Sequence, residues 1–205
     1  MLTSAEAWRT TDSSKGYIAR TFSCALILVI VTLAGCGTAF ASDASNAFFH
    51  SLEKLCGARF EGSMTFPTSG QDDFAGKLLV AEFNSCTTSE IRIPFAVGEN
   101  TSRTWIISRT AGGLQLQHDH RHPDGTEDAI SMYGGEALPN GTATEQSFAA
   151  DAHTKQLIPD AATNVWTISL NDDGSTLVYD LQRNGKPRFT AKLQRVESSP
   201  PDSEN

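Results

Sequence analysis

In nine stretches of this 205-residue chain, apolar and polar side chains alternate one by one, and short turn signals separate most of them. In 89-SEIRIPFAV-97, Ile91, Ile93, Phe95 and Val97 fall on one side, with Glu90, Arg92, Pro94 and Ala96 between them. A period of two places all the apolar residues on one face of an extended chain, which is the pattern of a strand with one side on a core. Residues 58–66, 77–83, 103–109, 114–120, 126–133, 164–170, 176–183 and 188–194 repeat it, and 144–150 does so more weakly. Gly-Gly at 112–113, Pro-Asp-Gly at 123–125, Asp-Asp-Gly at 172–174 and Asn-Gly at 184–185 mark tight turns. Connections this short make successive strands antiparallel neighbours, and a long meander removes its exposed edges by closing on itself. The expected fold is therefore all-β, an antiparallel up-and-down barrel of 8–10 strands. Residues 151–163 interrupt the alternation and read as a short helix or lid ended by Pro159.

The ends of the chain read differently. Residues 22–36, FSCALILVIVTLAGC, are an apolar run behind Arg20 with the length of a secretory signal and less than a membrane span. Its last four residues, Leu-Ala-Gly-Cys, resemble the bacterial lipobox, which implies acylation of Cys36 and a lipid anchor in the membrane as the protein's one membrane contact. A second pattern, Ala39-Phe40-Ala41, suits cleavage before Ser42 and a soluble exported product, and both remain open. Export leaves Cys56 and Cys86 as an even pair in an oxidising compartment, where a disulfide is expected; two buried thiols are the alternative. Residues 37–47 read as a flexible spacer, 48–56 as a short amphipathic helix, 48–195 as the barrel domain and 196–205 as a disordered tail.

Of 16 basic and 24 acidic side chains, three and two lie in residues 1–41, which leaves 13 against 22 beyond them. No basic stripe interrupts this acidity, so nucleic acid is excluded as a partner. Gly-x-Ser-x-Gly, His-Glu-x-x-His, a phosphate-cradling glycine loop and Cys-x-x-Cys are all missing, so no motif names a reaction or a cofactor.

The candidate chemistry lies in 114-LQLQHDHRHPDGTEDAISMYGG-135. A three-residue turn at Pro-Asp-Gly pairs 122 with 126, and that register sets His120 opposite Asp128, His118 opposite Ile130 and Leu116 opposite Met132. His118 and His120 then continue the inward face of Leu114 and Leu116, while Arg121 pairs with Glu127 outside. His118, His120 and Asp128 could hold a metal, with His153, Glu145 or water as a fourth ligand; equally they could line a pocket or plug the barrel end. Trp105 and Trp166 either fill the barrel or wall a pocket.

In strand number, N-terminal helix and a closing pair carrying Tyr179, Leu181, Arg188 and Phe189, the chain resembles the calycin superfamily of lipocalin-like and fatty-acid-binding-like barrels. Arg103-Thr104-Trp105, the run from His118 to His122, and Tyr133-Gly134-Gly135 resemble a group of small exported bacterial proteins of undetermined function. That second resemblance carries no activity; the expected barrel, with ligand sites usual in barrel mouths, points to a non-catalytic protein that holds a small apolar or amphipathic ligand, with His118, His120, Asp128, Trp105 and Trp166 as lining. Two other expectations stand beside it: a metal- or haem-dependent protein using the histidines, and an envelope interaction module with a solid barrel.

Overall fold

The computed structural model describes the backbone of residues 36–67 and 73–197, and side chains from Asp43 onward. The signal segment, most of the lipobox and the last residues of the tail lie outside this range. Helix α1 (Cys36–Glu53) opens the described chain. Strands follow as β1 (Arg59–Phe66), β2 (Leu79–Glu82), the two-residue β3 (Ser85–Cys86), β4 (Glu90–Val97), β5 (Asn100–Thr110) and β6 (Gly113–His120). After these come β7 (Tyr133–Ala137), β8 (Glu145–Ala150), helix α2 (Ala152–Leu157), β9 (Asn164–Leu170), β10 (Thr176–Arg183) and β11 (Lys186–Val196).

Each strand pairs antiparallel with its neighbours, β11 pairs with β1, and β2 pairs with β4, so ten strands close into a barrel with β3 as an added edge. The alternation is kept in the packing. Ile91, Ile93, Phe95 and Val97 of β4 are buried, and the residues between them are not. Phe60, Trp105, Ile107, Leu116, Trp166, Ile168, Tyr179 and Leu193 complete the interior from the other strands.

Helix α1 begins at Cys36, so residues 37–47 are helical where the sequence reads as a flexible spacer. Alanines at 39, 41, 44 and 47 give this stretch a high helix propensity that its small-residue composition disguised as a linker. The helix buries Phe48, Phe49 and Leu52 completely. It lies at the barrel end that carries the β5–β6 and β9–β10 turns: Ser45 meets Gly113, Leu55 meets Gly174, and Arg109 of β5 stacks 4.0 Å over the Phe49 ring. The chain leaves α1 through Gly57 at φ +84°, a left-handed position suited to glycine.

A disulfide joins Cys56, just after α1, to Cys86 of β3, 30 residues on, with Cα atoms 6.3 Å apart. It tethers the plugging helix to the sheet. Loop-closure entropy for a ring of that size gives about 3.5 kcal/mol of stabilisation. Replacing both cysteines by serine is expected to lower the urea-unfolding free energy by roughly that amount; a loss below about 1 kcal/mol would show that the bond carries little of the stability.

The expected strand over 126–133 does not form. The turn does set Arg121 opposite Glu127, as the sequence reading requires. Beyond it three extra residues enter, and the pairing resumes with His118 opposite Tyr133 and Leu116 opposite Gly135. An odd insertion reverses which residues of the returning strand face inward. Ile130 is left 49 % exposed, Met132 takes φ +56°, and Ser131 folds back onto Asp119 of β6. The cause is the glycine pair: a Cβ on Gly134 would lie 1.9 Å from the Leu116 carbonyl oxygen, and one on Gly135 1.9 Å from that of Ala149. Only glycine fits between β6 and β8 at this closeness, so the register follows the glycines and not the turn.

Candidate functional site

With α1 over one end, the interior is accessible from the other, where residues 73–78, the links 121–132 and 151–163 and the β10–β11 turn gather. A cavity of about 270 Å³ lies there. Its inner wall is aromatic. Trp105 stacks between Phe95 (ring centroids 4.3 Å apart) and Tyr179 (4.4 Å), and Trp166 packs 5.2 Å from the His118 ring. Phe74, from the link before β2, and Phe189 of β11 close the sides. Ile158 and Ala161, after α2, form part of the rim.

The position of α2 is itself fastened by polar contacts. Asp151 caps its first turn by accepting from the Thr154 amide at 2.7 Å. Thr154, fully buried, accepts from the Gly134 amide and donates to the Gly134 carbonyl, each at 2.7 Å. The link that rims the cavity is thereby tied to the glycine pair of β7.

His118 is buried in the wall. Its Nδ1 is 3.1 Å from the Tyr133 carbonyl oxygen, which can only accept, so Nδ1 carries the proton. Nε2 then accepts from the Tyr179 hydroxyl at 2.7 Å. Burial, as the main cause, lowers the His118 pKa to about 3; the Tyr133 carbonyl opposes this and His120 adds to it. The imidazole is neutral, and both of its nitrogens are used. Burial also pushes the Tyr179 hydroxyl well above its ordinary value, so it remains a donor at any physiological pH.

His120 lies nearer the mouth, with Nε2 3.1 Å from the Tyr133 hydroxyl. Its pKa is lowered by burial first and then by Arg103, with Asp128 and Asp119 pulling the other way. The expected pairing of His120 with Asp128 on an inner face is not what forms. Asp128 has a 40 % exposed side chain, accepts from the Ile130 amide at 2.8 Å and stands 3.9 Å from His122 Nδ1. The Asp128 amide does donate to the His120 carbonyl at 3.0 Å, but its carboxylate turns outward to the Ile130 amide, and past it the changed register brings Tyr133 beside the histidines. Among the described residues, no three His, Cys, Asp or Glu side chains come together as a metal site. The expected trio thus does not converge, although His118, His120, Trp105 and Trp166 do share one cavity.

Arg103, Arg183 and Arg188 also border the cavity, and the sequence reading placed none of the three in the site. Arg103 pairs with His120 across β5 and β6, one inward position before Trp105. Arg183 is two inward positions beyond Tyr179 on β10. For Arg103 and Arg183 the signal was available: each continues the inward phase of an apolar face past its last apolar residue, where a cation has no reason to sit unless the barrel end is wet, whereas Arg188, next to inward Phe189, lies outside that phase. Arg183 Nε donates to the buried Asn164 side-chain oxygen at 2.9 Å. Arg103 holds its guanidinium 5.4 Å over the Phe74 ring, and its Nη1 is buried with no hydrogen-bond partner. Among the described residues none of the three forms a salt bridge, and no Asp or Glu lines the cavity.

Comparison of the chain with family models, curated proteins and solved structures gives no match. The chain is a closed, ten-stranded antiparallel β-barrel with a helix over one end and an aromatic-walled cavity at the other.

Proposed function

We propose that this is an exported, calycin-like barrel protein that holds a small apolar or amphipathic molecule in the cavity at its open end, without transforming it. The observation that carries this reading is the cavity itself, about 270 Å³ and walled by Trp105, Trp166, Tyr179 and Phe95. Ligand sites are concave and mostly apolar with a few convergent polar groups, and the mouths of barrels are a preferred place for them. A holding role is supported by His118, the natural general base here, having both nitrogens engaged and a pKa of about 3. Export is supported by the apolar N-terminal run and by the Cys56–Cys86 disulfide, which suits an oxidising compartment. Under this reading the mature protein begins either at acylated Cys36, tethered to the bacterial envelope, or at Ser42, free of it.

Native mass spectrometry of the purified full chain tests the binding role. The expected spectrum has a small-molecule mass increment that vanishes under denaturing conditions. Ala161→Phe, which places a ring into the cavity from its rim, is expected to remove the increment while the circular dichroism spectrum stays unchanged. A bare protein mass that also takes up no added apolar dye would sink the reading.

A further inference from the structure

We propose that the molecule held is a flat aromatic acid, its carboxylate bound by Arg103 with Arg183 and Arg188, its rings lying among Trp105, Trp166 and Tyr179. This rests on the binding role proposed above and specifies the class of ligand. The chain carries a net charge of −8, yet three guanidinium groups and, among the described residues, no carboxylate border its aromatic-walled cavity. A cationic mouth on an acidic protein concentrates anions at that mouth and repels cations from it.

Arg103 is the stronger argument. A guanidinium nitrogen buried without a hydrogen-bond partner is costly, because its lost hydration is replaced by nothing. The Phe74 ring face 5.4 Å away offsets a part of this and supplies no acceptor. A carboxylate supplies two acceptors in the plane that a guanidinium fork presents. Arg183 is held by Asn164 through Nε, which orients its terminal nitrogens, and Arg188 stands exposed at the rim beside Phe189. The three therefore differ in setting: one half-buried with its Nη1 covered, one braced and one at the entrance.

The body of the ligand follows from the walls. Phe95, Trp105 and Tyr179 form a stacked run with successive centroids 4.3 and 4.4 Å apart, and Tyr133 stacks on His118 at 4.7 Å. Ring faces and edges of this kind favour another ring through offset stacking and edge contacts, which a saturated chain cannot make. The volume, about 270 Å³, lies just under the 300–1,000 Å³ usual for drug-sized ligands, so one or two fused rings are the fitting size.

The test compares three probes on the purified full chain by calorimetry and by quenching of tryptophan fluorescence: 2-naphthoate, the neutral 2-naphthalenemethanol, and decanoate. 2-Naphthoate is expected to bind tightest, on the order of tenfold or more above the alcohol, the gain that hydrogen bonds to a charged group confer. Arg103→Gln should bring acid and alcohol to within about threefold of each other, and Arg188→Gln should narrow the gap in part. Arg92→Gln, on the outer face of β4, should leave it alone. Arg188 is exposed, so its variant keeps the question answerable if Arg103→Gln does not fold. Equal affinity for acid and alcohol would overturn the acid while leaving the binding role standing, and decanoate binding as tightly as naphthoate would overturn the aromatic body. Full discrimination retained in both arginine variants would overturn the assignment to these residues. Failure of all three probes to bind would bring down this proposal together with the binding role.

Discussion

Between pH 7 and pH 4 the wild-type protein should lose on the order of 3 kcal/mol of stability that a His118→Gln variant keeps. His118 has a folded pKa of about 3 against an ordinary value of 6.5. Below 6.5 the unfolded chain takes up a proton at this residue, and the folded protein does not until the pH nears 3. The contribution is thus complete above pH 6.5, is lost steadily as the pH falls through that window, and levels off below its lower edge. Over the whole window it amounts to roughly 5 kcal/mol, because each pH unit between the two values costs about 1.36 kcal/mol. Glutamine is the matching control, because its amide nitrogen can donate to the Tyr133 carbonyl and its oxygen can accept from Tyr179, with no proton to gain. Urea unfolding at a series of pH values measures both proteins. Parallel curves for the two would show that His118 takes up its proton in the folded state as readily as in the unfolded chain.

Trp105→Ala is expected to destabilise the barrel by about 3–5 kcal/mol, the cost usual for truncating a buried large aromatic. Trp105 is 2 % exposed and stacks on Phe95 and on Tyr179, so its loss removes two ring contacts and leaves the cavity enlarged between β4 and β10. Trp105→Phe should restore a part of the loss, since one ring remains in the run. The urea midpoint should fall with little change in slope, because the surface exposed on unfolding is nearly the same. A loss under about 1 kcal/mol would mean that the neighbouring rings close over the gap, and that this wall is compliant.

The two stretches that bear on the site were legible to different degrees. The inward phase of β6 was readable from Leu114 and Leu116, and it placed His118 and His120 correctly on the inner side. The return strand was not readable from its turn. Pro123-Asp124-Gly125 governs only the pairs next to it: Arg121 stands opposite Glu127 and the Asp128 amide donates to the His120 carbonyl at 3.0 Å, and the register changes beyond them. Gly134 and Gly135 decide the rest, because β7 must pass within van der Waals reach of Leu116 and Ala149 backbone atoms, and only the shifted register offers two residues without Cβ atoms there. A similar limit hid the helical start of α1, where alanines that suit a spacer equally suit a helix once Phe48, Phe49 and Leu52 have a barrel end to cover.

Alternation and turn chemistry, both local, were enough to determine most strands with one buried face and their antiparallel meander; helical spacing of the apolar residues at 48–56 marked the helix ahead of them, and the even count of cysteines left after export marked the pair that a disulfide joins. The tertiary structure alone decided which end of the barrel α1 closes, that a cavity remains at the other, and that Arg103, Arg183 and Arg188 meet there with His120 in place of a histidine–aspartate trio. The physical reason is that periodicity tells which side of a strand a residue faces but not its height in the barrel. Height depends on the stagger between strands and on closure through the β1–β11 and β2–β4 pairings, which join residues more than a hundred positions apart in the first case and are set by packing across the whole interior.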